Sequence, residues 1–396
     1  MDSTNQGPVV RPTRALIGLL AAAAGIAVAN LYYAQPLAPM IGRSLNASDR
    51  AIGIALTFTQ IGYALGMLML VPLGDARERR GLLSMTAGAA VPALLLVAAT
   101  PNVAALALFN LFLGAASSLP QLAVPFAVGL LPTEERGRAL GPVMGGLLTG
   151  ILLSRTVSGW LGHAIGWRAT FVVAALAMAC LAVVLRLALP LQRPAQVLSW
   201  SRTVRSLPAL LRDEPLLRRH AVVGAMGFAC FSVLWSTLAF HLAGSGHGPQ
   251  VAGTFGVCGV AGVLAAPLAG RLSRWIPPRA INSAGLILAG LSFAWLWAGG
   301  ASIAALAIGV AVLDAGQQSS HLANQSVIFG LSPEARNRLN AVYMVVFFIG
   351  GALGTLIGAW AWGAARWTGV CAAGGCLATA GLVALWTMPA PRIKQS

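Results

Sequence analysis

Charge is what this sequence lacks. Only 9% of its 396 residues are Asp, Glu, Lys or Arg, well under half of the roughly 25% that a soluble chain carries. A water-exposed surface cannot be built from such material, so an ordinary soluble domain is excluded. Cysteine is scarce too. The five residues at 180, 230, 258, 371 and 376 form no CxxC pair, so neither a disulfide framework nor a zinc site is written here; they read as small apolar fillers. No GxxxxGK(S/T) segment occurs, which removes ATP-driven work within the chain. No carboxylate pair, His/Cys cluster or other reactive constellation points to an enzyme, a metal or a cofactor. A net charge of +16 invites a nucleic-acid partner. The basic residues, however, recur as small clusters between apolar runs rather than on one face, which argues against that partner.

What is present is apolar: 57% of the chain, with 46 glycines, a residue that membrane helices tolerate. Apolar segments fall near 15–40, 50–73, 82–100, 103–131, 139–162, 169–190, 220–243, 250–272, 280–299, 302–329, 341–363 and 369–389. Backbone in lipid must bond internally, so each reads as a helix. Arg11 and Arg14 precede the first run as they would a signal peptide. That run continues past Tyr32 and Tyr33 to about Met40, which is long enough to span a bilayer. One set of connections carries most of the arginines: Arg77, Arg79 and Arg80; Arg136 and Arg138; the Arg-rich stretch 186–219; Arg271, Arg274 and Arg279; Arg336 and Arg338. The alternate set holds only Arg43, Arg50, Arg168 and Arg366. The positive-inside rule then puts both termini in the cytoplasm. It also explains the knot at 75–80, where Asp75, Arg77, Glu78, Arg79 and Arg80 crowd between long apolar runs: a cytoplasmic turn held out of lipid by its charge.

The second half of the chain echoes the first at an offset of 200. VAALAL at 103–108 matches IAALAI at 303–308, and LPTEERGR at 131–138 matches LSPEARNR at 331–338, with Glu134/Glu334 and Arg136/Arg336 in register. Two six-helix repeats in parallel orientation are a transporter architecture. The expectation is an all-α integral membrane protein of twelve transmembrane helices. They form two pseudo-symmetric six-helix bundles, at 1–190 and 220–396, joined by a polar cytoplasmic linker at 191–219.

NLYYAQPLAP (30–39), TFTQIGYALGMLMLVPLGDARERR (57–80), LPTEERGRALG (131–141), GWRATF (166–171) and LDAGQQSSHLANQSVI (313–328) together resemble the major facilitator superfamily, in a bacterial branch near the drug and sugar efflux proteins. The resemblance covers nearly the whole chain. It implies two six-helix bundles around a central cavity open to each side in turn. The reading that follows is a monomeric secondary transporter of the bacterial inner membrane that exports a small organic solute, with protons as the coupling ion. The 72–83 stretch looks like the family's signature turn between helices 2 and 3. Asp75, Arg79 and Arg80 fit it, while Val71, Ala76 and Glu78 stand where Gly, Arg and Gly are usual. Such a turn would latch the cytoplasmic side with Glu134, Arg136, Glu334 and Arg336. Replacing Asp75 by Asn is then expected to stop transport while leaving insertion normal, and an unchanged transport rate refutes the latch. Asn110 stands where proton-driven efflux members usually carry Arg, and GPVMGG at 141–146 precedes the place of their antiporter motif near Ser154–Gly159. Uptake or uniport by the same fold, or a passive channel, are the competing functions.

Inside the spans lie one acidic residue, Asp314, and one basic residue, Arg155. A charge in lipid costs about 2.5–3.5 kcal/mol, so both should face the interior. Either they pair across the halves, or each is anchored within its own. Around Asp314 runs a stripe of Gln317, Gln318, His321, Asn324 and Gln325 at spacings of three and four, one helical face. Ser117, Ser118 and Gln121, with Asn110, form the equivalent face on helix 4. Asn30 and Tyr33 share a face on helix 1, Gln60 and Tyr63 on helix 2, and Ser232, Trp235 and Ser236 on helix 7. Amides beside aromatics suit an amphipathic solute. Trp160, Trp167 and Trp367 read as interface anchors.

Overall fold

The structure is a computed structural model. It describes residues 13–70, 72–75, 77–131, 135–192, 200–332 and 336–388. Fifteen α-helices follow one another: α1 (Arg14–Ala29), α2 (Ala34–Ser44), α3 (Asp49–Leu70), α4 (Arg79–Ala98), α5 (Val103–Ala116), α6 (Leu119–Gly129), α7 (Arg136–Ile165), α8 (Trp167–Ala188), α9 (Trp200–Asp213), α10 (Pro215–Gly244), α11 (Pro249–Thr254), α12 (Val260–Leu272), α13 (Pro278–Gly299), α14 (Ile303–Phe329) and α15 (Arg336–Thr387). No strand occurs among the described residues.

Ten pieces are long and apolar enough to cross a membrane. Two facts raise the number of crossings to twelve. The last piece, Arg338–Thr387, bends back at Ala365 and Arg366, whose backbone angles are not helical, and so holds spans 11 and 12. Helix α14 is long enough but too polar to qualify, because it carries the stripe that begins at Asp314. Span 7 starts at Pro215, a residue suited to the first helical turn, inside the stretch assigned to the linker.

Among the described residues three spans are interrupted, each where the sequence favours it. Span 1 is interrupted at residues 30–33, between α1 and α2, where Asn30 and Tyr33 keep helical angles but the bonding tightens to three-residue steps, as from the Leu31 N–H to the Val28 carbonyl at 3.1 Å, and Pro36 and Pro39 follow. Span 4 breaks at Ser117 and Ser118, just before Pro120. In span 8 the glycine-rich run FGVCG is a 3-10 helix (Phe255–Gly259) between α11 and α12. Span 2 ends in a 3-10 turn at Pro72–Asp75. A 3-10 stretch inside a helix marks a point that bends or strains.

The repeat seen in the sequence is also present in the backbone. Among the described residues four have positive φ, and they fall in two pairs 200 positions apart: Asn46 (51°) with Gly246 (80°), and Gly166 (85°) with Arg366 (50°). Helix starts repeat too: Asp49 and Pro249, Val103 and Ile303, Arg136 and Arg336. Even the caps match. Asn102 accepts from the N–H of Ala105 at 2.9 Å, and Ser302 from that of Ala305 at 3.4 Å, each satisfying a donor that the helix start leaves free. Trp167 and Trp367 stand next to the second pair of turns. Both are buried, so they are packing residues and not interface anchors; of the three tryptophans expected as anchors, Trp160 is the exposed one.

Close glycine contacts hold each half together. In the first, Gly62 and Gly66 of α3 lie on the backbone of Leu111 and Ala115 in α5. Such small-residue crossings replace the hydrophobic effect, which lipid does not supply between helices.

Candidate functional site

Between the halves, contact gathers toward the end that carries the turns at Asn46 and Gly246, hereafter the turn end. Helix α10 packs on α2, and α7 packs on α11 and the following 3-10 helix. Farther along, α12 packs on α14, and α6 on α1 and α7, each within its own half. The halves therefore meet at the turn end and part toward the opposite end, where α1 begins and α15 ends, hereafter the terminus end. At the meeting point α7 and α11 touch through glycine. A Cβ on Gly253 would lie 2.5 Å from the Arg155 carbonyl oxygen and 2.9 Å from the Gly159 Cα. The Thr156 hydroxyl donates to the Gly253 carbonyl at 3.0 Å.

A second junction seals the same end. The Trp362 indole N–H donates to Asp49 Oδ2 at 2.9 Å, and Arg366 Nη1 to the same oxygen at 3.4 Å. Arg50 lies over the Trp360 ring, 3.1 Å from its centroid. Above this junction opens a hollow of about 790 Å³ lined by Arg43, Asp49, His241, Trp362 and Arg366, among others. The left-handed conformation that Gly166 adopts without penalty falls in the second half to Arg366, which Asp49 holds in place. The contact joins residues more than 300 positions apart, and nothing in the local sequence announced it. Losing it removes one half-buried hydrogen bond and one exposed ion pair, about 1 kcal/mol together, or a roughly five-fold shift in population. Asp49→Ala is therefore expected to open the turn end. Modification of Ser236→Cys by an impermeant thiol reagent, with the native cysteines replaced, should speed up several-fold.

Just inside the seal lie Arg155 and Asp314. Both are buried, and among the described residues Asp314 is the only buried acid. They make no ion pair within 4 Å. Arg155, on α7, is held by its own half: Nε donates to Gln35 Oε1 at 2.7 Å and Nη1 to the Ile151 carbonyl at 3.2 Å. The second half contributes aromatic faces, with Trp235 4.0 Å and Phe231 5.3 Å from the guanidinium carbon; Tyr32, of the first half, is at 4.4 Å. Asp314, on α14, accepts from the Trp235 indole N–H at 3.1 Å. One side chain of span 7 thus touches both charges, the cation with its ring face and the anion with its N–H. Asp314 Oδ2 faces Gly259, 3.0 Å from where a Cβ would stand, so the carboxylate sits against the 3-10 break of span 8.

An aromatic run leads from this pair toward the terminus end. Phe231 stacks near Phe228 (5.5 Å), Phe228 near Phe347 (4.2 Å) and Phe348 (5.2 Å), and Phe348 against Tyr63 of the first half (4.4 Å). Gln60 joins the halves beside it, donating to Thr355 Oγ1 at 3.1 Å and Ser232 Oγ at 3.5 Å. Gln121 Nε2 donates to the Tyr63 hydroxyl at 3.2 Å. Asn30 is buried, and both polar atoms of its side chain lack a partner; it lies with half-buried Tyr33 in the turn between α1 and α2.

The polar stripe of α14 divides. Gln317 is buried and Gln318 half-buried next to Asp314. His321 Nδ1 lies 2.8 Å from the Tyr343 hydroxyl, with its ring against Phe347. Asn324 and Gln325 are turned to neighbouring helices of the same half, Asn324 Oδ1 to His220 Nδ1 at 2.7 Å and Gln325 Nε2 to Asn340 Oδ1 at 3.4 Å. On span 4, Asn110 donates to the Ala55 carbonyl at 3.3 Å, and Ser117 to its own helix at Leu113. Asn110, Asn324 and Gln325 thus tether helices, while Ser117 bonds within its own.

Of the charged turns at the terminus end, Glu134 and Glu334 lie outside the described residues. The backbones of Asp75, Arg136 and Arg336 belong to helical turns. Glu78 is the N-cap of α4, its carboxylate accepting from the N–H groups of Arg80 at 2.7 Å and Gly81 at 2.8 Å. Arg79 Nε donates to the Gly74 carbonyl and Arg80 Nη1 to that of Leu189, both in the first half.

Known proteins share this chain's pattern. The family described as Major Facilitator Superfamily matches residues 20–313. The "Uncharacterized transporter YgaY" of Escherichia coli O157:H7 is 41% identical over 374 residues, 94% of this chain and 95% of that one. The "Probable transporter SCO4007" of Streptomyces coelicolor is 36% identical over 99% of this chain and 90% of its own. A solved bacterial homologue of the human lysosomal transporter Spinster, inward-facing and occupied, has the same fold. Its TM-score is 0.71 at 15% identity, covering 94% of this chain and 93% of that one. Twelve crossings with a backbone that repeats after 200 residues, and relatives alike over nearly their whole length, have one explanation: the chain is a multi-pass membrane transporter, not an enzyme, and belongs to the major facilitator superfamily.

Proposed function

We propose that the protein is a secondary active transporter that exports a small organic solute by alternating access, driven by protons that Asp314 carries. The observation that supports this most is the placement of Asp314. An acid inside a membrane is costly and marks an ion pathway; this one lies between the halves, against a 3-10 break, and bonds to the residue that also holds Arg155. A proton gained or lost there is felt by both halves through Trp235. The arginine distribution supports cytoplasmic termini, so the sealed turn end faces outward and the conformation is inward-facing. The bond from Arg80 to the Leu189 carbonyl, within the first half, fits a cytoplasmic latch that is open. The halves at 1–190 and 220–396 would then rock as units about the linker 191–219, in the inner membrane, as a monomer. Export is the direction favoured by the sequence's likeness to efflux proteins.

Proteoliposomes with an imposed pH gradient test this reading against a panel of labelled acidic, basic and neutral organic solutes. The expected result is saturable movement of one class that reverses when the gradient is reversed. Movement indifferent to the gradient removes the proton, and flux that never saturates makes the protein a channel.

A further inference from the structure

The polar atoms without a partner point to what the site holds. Arg155 is enclosed on its faces by Tyr32, Phe231 and Trp235 and bonded on one edge to Gln35 and the Ile151 carbonyl, yet its Nη2 is buried and bonds to nothing. Among the described residues no carboxylate lies within 4 Å of it; the ion pairs seen there are Arg212–Asp213 and Arg366–Asp49. A buried cation without a counter-charge costs several kcal/mol, and a buried donor left unpaired calls for an explanation. Both amide atoms of Asn30 and the Gln60 Oε1 are likewise buried and unpaired. In the first half, unpaired polar atoms thus occur beside the aromatic run on spans 1, 2 and 5; the second half has its own at Asn282, Ser292 and Asn324, on spans 9 and 10, and brings to the site the apolar rings of Phe228, Phe231, Phe347 and Phe348.

We propose that Arg155 is the anion-binding group of the central site and that the transported solute is an aromatic carboxylate. Its negative group would take the free edge of the guanidinium. Its ring would lie on the phenylalanines, where aromatic pairs prefer offset or edge-on contact. The Asn30 amide has both a donor and an acceptor to spare for a further substituent. A cationic solute would have to face Arg155, and a neutral one would leave that charge unmatched. The inference rests on the transporter reading above and adds the substrate class to it.

Thermal unfolding of the purified full-length protein with matched probes tests it. Benzoate and 1-naphthoate are expected to raise the melting temperature saturably, with benzamide and benzylamine at least tenfold weaker. Arg155→Lys keeps the charge but loses the planar fork, and should weaken benzoate at least tenfold. Equal binding of the amide or the amine overturns the proposal, as does an equal shift from chloride or nitrate, or wild-type affinity in Arg155→Lys. If that variant does not fold, the probe series on the native protein decides alone. Failure here with gradient-driven flux intact removes the substrate class only; carboxylate binding with flux indifferent to the gradient removes the proton coupling only.

Discussion

Asp314→Asn is expected to abolish gradient-driven accumulation, at least tenfold, while leaving exchange of solute across the membrane in place. Asparagine keeps the size of the side chain and still offers an oxygen to the Trp235 indole N–H, which stands 3.1 Å from Asp314 Oδ1. What it loses is the ability to exist in two charge states. The buried carboxylate is expensive in this setting, and nothing within 4 Å neutralises it, so the wild-type protein must either carry that cost or take a proton. If the switch between conformations depends on which of these holds, the variant is fixed in the neutral condition. It then exchanges solute without drawing on the gradient, and its rate becomes indifferent to pH. Removing a buried charge should also leave the melting temperature unchanged or raise it, which separates loss of coupling from loss of fold. Asp314→Glu offers a second check. The extra methylene meets the space against Gly259, where 3.0 Å separates the carboxylate from a would-be Cβ, so a titratable but misplaced acid should restore coupling only in part. Accumulation by Asp314→Asn at the wild-type level refutes the proton-carrier reading.

The two charges were legible in the sequence because each is alone: one acid and one base inside long apolar runs. The offset of 200 was legible for the same reason, since charged triplets repeat where chance would scatter them. The link between the charges was not. Helical spacing places Trp235 on a face, but a face is a broad sector. Whether its N–H reaches span 10 and its ring reaches span 5 depends on how three helices are rotated in space. The same limit sorts the polar stripe. Asp314 and Asn324 are both buried, yet Asn324 turns to His220 of its own half and Asp314 to the junction between halves. Amides at the right spacing serve equally as tethers and as lining. Glu78 shows the reverse case. As a departure from the family's turn it looks like a loss, but its carboxylate caps α4, a local role that a Glu can fill and a Gly cannot. Breaks in the spans were partly visible as Gly and Pro. Their role emerges only with the partner: the 3-10 run Phe255–Gly259 matters because Asp314 lies against it.

Adding one methyl group at Gly253 should separate two kinds of glycine contact that look alike in sequence. Within the first half, a Cβ on Gly66 would lie 2.8 Å from the Ala115 Cα. Between the halves, a Cβ on Gly253 would lie 2.9 Å from the Gly159 Cα and 2.5 Å from the Arg155 carbonyl oxygen. In each case the obstacle is backbone and cannot turn aside, so the helices must move apart. The consequences differ because α3 and α5 belong to one half and α7 and α11 to different halves. Gly66→Ala opens a packed core, where overpacking costs about 1–3 kcal/mol, and should reduce yield and melting temperature. Gly253→Ala wedges apart a seal that alternating access must break and remake in every cycle. It should fold normally and bias the protein toward the state in which the turn end is open. Transport should fall at least tenfold and labelling of Ser236→Cys from that side should rise. Because Arg155 supplies the carbonyl that the new methyl meets, the wedge also displaces the guanidinium from Trp235. Solute binding should therefore weaken in Gly253→Ala and stay unchanged in Gly66→Ala. If both variants lose stability alike, the contact at Gly253 is structural, and the two halves do not part there.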